Sequence, residues 1–178
     1  SAACAPGTFL RPGLDKFSGQ EDCLNCNVGH FCFGGAVGQI ECGSGTYASV
    51  ERLTECRECD EGSFRKERGA TACEVCGAGH YCGRGAVAET PCPGGTFSNR
   101  TGRSRPDQCE DVPVHFWAPL GSALPEACPP SGFYCPGALR DTVNEAGGSE
   151  PIIMPEGGSA ETREEPALIK DMSLSLSI

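Results

Sequence analysis

The sequence predicts a small disulfide-rich fold: an elongated array of cysteine-rich repeats with short β-ribbons and little core, followed by a linker and a terminal β-strand. Three observations carry that expectation. All 14 cysteines of the 178-residue chain lie between Cys4 and Cys135. Leu, Ile, Val and Phe together number only 31, below the level at which a chain of this size closes an apolar core. One cysteine frame also recurs along the chain, the signature of a repeat architecture.

The clearest copy of the frame runs from Cys73 to Cys92. Cys23, Cys26, Cys32 and Cys42 reproduce the spacings of Cys73, Cys76, Cys82 and Cys92; Gly-His-Phe-Cys at 29–32 answers Gly-His-Tyr-Cys at 79–82, and Gly35-Ala36-Val37 answers Gly85-Ala86-Val87. A third copy emerges when Cys109 is laid on Cys73. Cys128 then falls on Cys92, Gly121 on Gly85 and Phe116-Trp117 on His80-Tyr81, while Val112 and Ala118 stand in the places of Cys76 and Cys82. Two cysteines missing together from one copy imply that they are partners in the others, because a thiol left unpaired in an oxidising compartment is a liability. Cys76 is therefore expected to pair with Cys82 and Cys26 with Cys32. A five-residue gap containing a glycine turns tightly enough for the short Cα separation of a disulfide.

A second box alternates with the first: Cys4-Ala-Pro-Gly-Thr-Phe9, Cys42-Gly-Ser-Gly-Thr-Tyr47, Cys59-Asp-Glu-Gly-Ser-Phe64 and Cys92-Pro-Gly-Gly-Thr-Phe97. The glycine permits a turn with positive φ, the hydroxyl caps it and the ring covers the adjacent disulfide. The next cysteine in each case pairs Cys4 with Cys23, Cys42 with Cys56, Cys59 with Cys73 and Cys92 with Cys109. Cys128 and Cys135 remain, flanking Pro-Pro-Ser-Gly-Phe-Tyr, and pair with each other. Every cysteine is then joined to its nearest available neighbour. A rival pairing of Cys82 with Cys92 strands Cys76 and moves Cys128 to another partner.

Thr46-Tyr47-Ala48-Ser49-Val50 and its counterparts predict short two-stranded ribbons, and nothing before residue 136 sustains a helical apolar stripe. Each unit contacts mainly the next, the logic of a quasi-one-dimensional rod. The chain divides into a first repeat at 1–58, a second at 59–108, a degenerate third repeat with a terminal cysteine box at 109–140, a Gly/Glu/Pro-rich linker at 141–166 and a strand at 167–178. That strand alternates apolar residues with serine through Met172-Ser-Leu-Ser-Leu-Ser-Ile178, and it either opens a further domain or pairs with a partner.

A cysteine load of this kind persists as disulfides in secreted or surface-exposed proteins, so the expected address is extracellular or the cell surface. The chain opens on Ser1 and is read as a segment of a longer protein. No window holds the run of apolar residues that a membrane span needs. The net charge of −10 argues against nucleic acid as a partner, because an acidic surface releases no counterions from a polyanion. Arg100, Arg103 and Arg105 are a local basic exception, read as a solvated turn with an acidic or sulfated partner as the alternative.

Candidate sites are few. Cys56-x2-Cys59 followed by Cys73-x2-Cys76 comes close to a four-cysteine zinc spacing, so a zinc module stays open as an alternative. Against it, the same cysteines belong to a longer repeat and the third copy drops one of them. His30 and His80 share a position that Phe116 and Phe133 fill in the related boxes, which favours packing over acid-base or metal chemistry. No nucleophile-and-base pair, no calcium loop and no cofactor site is legible. Asn99-Arg100-Thr101 is an N-glycosylation sequon between Cys92 and Cys109. The most apolar window, Val112 to Leu124, holds the only tryptophan; either Val112, Phe116 and Ala118 fill the place of the missing disulfide, or Phe116 and Trp117 anchor a partner.

The order Cys-x2-Gly-[Thr/Ser]-[Phe/Tyr], then Cys-x2-Cys, then Cys-x3-[His/Phe]-[Phe/Tyr]-Cys resembles the ephrin-receptor-like cysteine-rich repeats, relatives of growth-factor-receptor and EGF-like modules. The likeness covers roughly Cys4 to Cys135; Val112 and Ala118 depart from it. It implies a non-enzymatic extracellular structural or interaction segment whose partners are other domains or copies of the same protein, and glycans. Such repeats also occur in protist surface proteins, which extends the expectation to a filamentous assembly such as an algal flagellar hair. A ligand-binding receptor ectodomain is the alternative.

Overall fold

The computed structural model describes residues 3–130, 133–135 and 137, and the backbone of 152–153. Among the described residues there is no α-helix; single 3-10 turns occur at Gln20–Asp22 and Pro106–Gln108. The remaining regular structure is eight antiparallel two-stranded ribbons. In chain order they are β1 (Thr8–Leu10) with β2 (Cys23–Asn25), β3 (His30–Phe31) with β4 (Ile40–Glu41), β5 (Thr46–Tyr47) with β6 (Arg57–Glu58), and β7 (Ser63–Phe64) with β8 (Glu74–Val75). β9 (His80–Tyr81) with β10 (Thr90–Pro91), β11 (Thr96–Phe97) with β12 (Glu110–Asp111), β13 (Phe116–Trp117) with β14 (Glu126–Ala127), and β15 (Phe133–Tyr134) with β16 (Ile152–Ile153) complete the series as hairpins 5 to 8.

The repeating unit is therefore one hairpin, recurring about every 17 residues in the middle of the chain, and three hairpins make one sequence repeat. The Gly-His-Tyr and Gly-Thr-Phe boxes, which differ in sequence, are one structural element. Each begins with a turn residue of positive φ: Gly7, Gly29, Gly45, Gly62, Gly79 and Gly95, with φ between 76° and 82°, and His115 at 71°. That turn aims the following two residues into an extended strand. Where the next residue is Thr or Ser, its hydroxyl donates to the carbonyl three positions back, as from Thr46 Oγ1 to Gly43 at 2.7 Å and from Ser63 Oγ to Asp60 at 2.6 Å. The capping expected of the hydroxyl is thus present, and His30 and His80 set Nδ1 3.1 Å from the carbonyl oxygens of Val28 and Ala78 instead.

A two-residue ribbon has no stability of its own. Two devices supply it. The first is a ladder of backbone hydrogen bonds between successive hairpins: the turn N–H groups of Gly7, Gly29, Gly45, Gly62, Gly79, Gly95 and His115 donate to the carbonyls of Cys32, Ala48, Arg65, Cys82, Ser98, Ala118 and Cys135 at 2.7–3.0 Å. The second is the set of seven disulfides, Cys4–Cys23, Cys26–Cys32, Cys42–Cys56, Cys59–Cys73, Cys76–Cys82, Cys92–Cys109 and Cys128–Cys135, which is the nearest-neighbour connectivity. The core is correspondingly thin, made mostly of half-cystines with small residues such as Ala36, Ala48 and Ala118. Phe9 packs into a cluster with Cys26, Cys32 and Ala36, so its ring covers the disulfide of the following hairpin.

Burial divides the disulfides. Both sulfurs of Cys26–Cys32 and Cys76–Cys82 are fully enclosed, whereas Cys23, Cys56, Cys73 and Cys128 are half-exposed. Because a reductant must reach a sulfur to attack it, limiting reductant under native conditions is expected to open Cys4–Cys23, Cys42–Cys56, Cys59–Cys73 and Cys128–Cys135 first. Peptide mapping of alkylated thiols checks this order; early labelling at Cys76 would contradict it.

One observation bears on the C-terminal end. The span 141–166, read as a linker, contributes strand β16, whose Ile153 and Ile152 stand opposite Phe133 and Tyr134. The β-branched Ile-Ile pair suits it to an extended strand. The rest of that span and the alternating strand expected at 167–178 lie outside the described residues. Among the described residues no helix is long and apolar enough to cross a membrane.

Candidate functional site

Because side chains alternate along a strand, each hairpin's first strand presents two residues in opposite directions, and stacking turns these into two columns. One column is aromatic throughout: Phe9, Phe31, Tyr47, Phe64, Tyr81, Phe97, Trp117 and Tyr134, each buried or half-buried. The other is polar for six hairpins, through the turn-closing Thr8, His30, Thr46, Ser63, His80 and Thr96. It then becomes apolar. Phe116 and Phe133 occupy its last two places and are 38% and 39% exposed.

The pair Phe116 and Trp117 is therefore divided by the fold. Trp117 belongs to the half-buried aromatic column and Phe116, 38% exposed, to the other. Val112 and Ala118, 3% and 0% exposed, are buried where a disulfide stands in the other copies, and Phe116 is the more exposed of the three. Sequence comparison of the boxes puts Phe133 in register with Phe116 without indicating that both rings are partly exposed. Val114, Leu120 and Leu124, in the same stretch, are exposed as well.

The remaining candidates fall into place locally. Cys56, Cys59, Cys73 and Cys76, the zinc alternative, are consumed by three different disulfides and offer no thiolate for a metal. Arg103 donates to Ser98 Oγ at 3.4 Å and sits 3.9 Å from Glu110, and Arg105 sits 3.4 Å from Asp107, so two of the three clustered arginines are engaged by neighbours in sequence. Asn99 is exposed in the turn that follows β11, and Thr101 is exposed beside it. Among the described residues only Asp22 shows a perturbed acidity: the hydroxyl and N–H of Ser18 donate to its carboxylate and hold its pKa below the usual range, with the Gly19 N–H and Arg11 assisting. That arrangement closes the turn before Cys23 and has no catalytic partner among the groups named.

Residues 45–87, which run from the Gly45 turn through hairpin 4 and into hairpin 5, match the family described as tyrosine-protein kinase ephrin type A/B receptor-like. This stretch is similar to an ephrin-receptor-like cysteine-rich repeat. No curated protein matches the chain. The ephrin-receptor-like repeat encloses two whole disulfides, Cys59–Cys73 and Cys76–Cys82, and the hairpins on either side extend its geometry beyond the matched residues. It is a disulfide-rich, non-catalytic module type, receptor-like in character and of the kind found outside the cell.

Proposed function

We propose that this chain is a non-enzymatic structural and interaction segment of a larger extracellular protein, a disulfide-stapled rod that spaces neighbouring domains and joins them or copies of itself. The observation that carries this reading is the backbone ladder, which ties each hairpin to the next and leaves one unit's geometry repeated along the chain. Stacked units of this kind extend in one direction and offer surface rather than an enclosed cavity. Small-angle scattering of the full chain with its disulfides intact tests it. A rod gives a skewed pair-distance distribution with a long tail; a symmetric, bell-shaped distribution would sink the reading. Incorporation into a filament is a further step of the same reading.

The receptor-like character of the matched repeat supports a second reading, a ligand-binding ectodomain module. It predicts saturable binding of a soluble ligand by the isolated chain, whereas a spacer makes its contacts within its own assembly. Asn99 is proposed to carry a glycan under either reading. Chain passed through a eukaryotic secretory pathway is expected to gain mass that an N-glycosidase removes, and Asn99→Gln is expected to abolish the gain.

A further inference from the structure

We propose that hairpin 7 is a tension-yielding element built into the rod, the part of the chain between Cys4 and Cys135 that opens first when its two ends are pulled apart. The inference rests on the structural reading above, in which a spacer between domains carries load.

Disulfides set which parts of a pulled chain can lengthen. Force crosses a disulfide rather than running round the loop it closes, so the closed loops add no length. Outside those loops the longer stretches between Cys4 and Cys135 are three: residues 33–41, 83–91 and 110–127. The last is twice as long as either of the others and is the whole of hairpin 7. At roughly 3.3–3.6 Å per residue, the chain from Cys109 to Cys128 spans about 65 Å when fully extended, against about 35 Å from Cys32 to Cys42 or from Cys82 to Cys92.

Hairpin 7 is also held less firmly than its counterparts, hairpins 2 and 5. Each of those keeps its turn closed by a fully enclosed disulfide, Cys26–Cys32 or Cys76–Cys82, where hairpin 7 has Val112 and Ala118. Without that bond the opened hairpin regains the freedom of an unclosed loop. The turn residue is His115 at a φ of 71°, where hairpins 2 and 5 have Gly29 and Gly79, so the folded hairpin 7 carries backbone strain as well. Both differences make hairpin 7 easier to open, and a load does more work over the longer extension. What holds it is the β13–β14 pair and bonds to its neighbours, such as the Gly95 N–H to the Ala118 carbonyl and the Gly121 N–H to the Cys92 carbonyl, both at 2.9 Å. These bonds can re-form. Cys109 and Cys128 stay anchored by disulfides to Cys92 and Cys135, so the rod lengthens without coming apart and shortens again when the load is released.

Single-molecule stretching of the full chain, disulfides intact, between protein handles fused to its two ends tests the proposal, because forced opening follows the unfolding rate of each part. Length markers assign the steps. A Gly-Ser-Gly insertion after Ala123, an exposed loop position, is expected to lengthen the hairpin 7 step by about 10 Å, and the same insertion after the exposed Ala88 to lengthen the step of residues 83–91 by the same amount. The step marked at Ala123 is expected at lower force than the step marked at Ala88, and to recover on relaxation. Val112→Cys with Ala118→Cys, once oxidised, is expected to shorten the hairpin 7 step by about 15 Å and to move it to higher force. A step marked at Ala123 that comes at the same or higher force than the one marked at Ala88 overturns the proposal, as does the absence of any step that responds to the Ala123 insertion. A chain that scatters as a rod while its steps come in the wrong order overturns the yielding element alone and leaves the structural reading standing.

Discussion

Gly62→Ala is expected to break the stacking of hairpins 4 and 6 and to cost roughly 3–4 kcal/mol, far more than a methyl group ordinarily costs at a surface turn. Gly62 has a φ of 81°, a region where an L-residue is strained by about 1–2 kcal/mol. Its added Cβ would also lie 2.3 Å from the carbonyl oxygen of Gly102, a backbone atom that cannot swing aside. Making room draws the two hairpins apart and stretches the bond that joins them, the Gly102 N–H to the Cys76 carbonyl at 2.8 Å. Gly102→Ala is the control. Its φ is 71°, but the nearest atom to its Cβ is Val75 Cγ1 at an ordinary 3.7 Å, and Arg52 occupies the equivalent place in hairpin 3 with a φ of 64°. Only the backbone strain, about 1–2 kcal/mol, is then lost. Since a repeat array need not unfold in one step, hydrogen exchange resolved by hairpin is the suitable measurement. Gly62→Ala should lose protection in hairpins 4 and 6 together, and equal losses from the two variants would refute the close approach.

The double substitution Val112→Cys with Ala118→Cys is expected to form an eighth disulfide and to stabilise hairpin 7 by about 2 kcal/mol, from closing a loop of this length. Val112 and Ala118 stand where Cys76 and Cys82 stand, and the Cα atoms of that pair are 6.0 Å apart. Both sites are buried. The backbone frame is retained too: the Val112 N–H donates to the Gly95 carbonyl at 3.1 Å, as the Cys76 N–H does to Gly62 at 2.9 Å. An intact mass about 2 Da below that of the reduced cysteine pair, with a shared non-reduced peptide, reports the bond; resistance of hairpin 7 to exchange reports the stabilisation. Two free thiols that stay apart under oxidising conditions would show that the degenerate copy has lost the geometry of its neighbours.

How much of this was legible in the residues depends on how far each interaction reaches. The disulfide connectivity was, since the joint loss of Cys at 112 and 118 discloses a covalent pair and the remaining partners close short loops. The turn chemistry of the Gly-Thr-aromatic box was as well, because Gly45 and Thr46 act on atoms within three residues. The equivalence of that box with Gly-His-Tyr was not, since Thr and His have different side chains and perform the same turn closure by different atoms. Nor was β16, whose Ile152-Ile153 sits in a stretch with the composition of a linker.

The sequence by itself determined which sulfurs join, where each chain turns and that the fold is an array with little core, because these follow from local spacing and from the shortage of apolar residues. Only the tertiary structure decided that Gly62 faces the carbonyl of Gly102, and that Phe116 is partly exposed while Trp117 joins the aromatic column. Those outcomes depend on how one hairpin stacks on those that follow, through backbone contacts that link residues some 40 positions apart and carry no mark in side-chain identity.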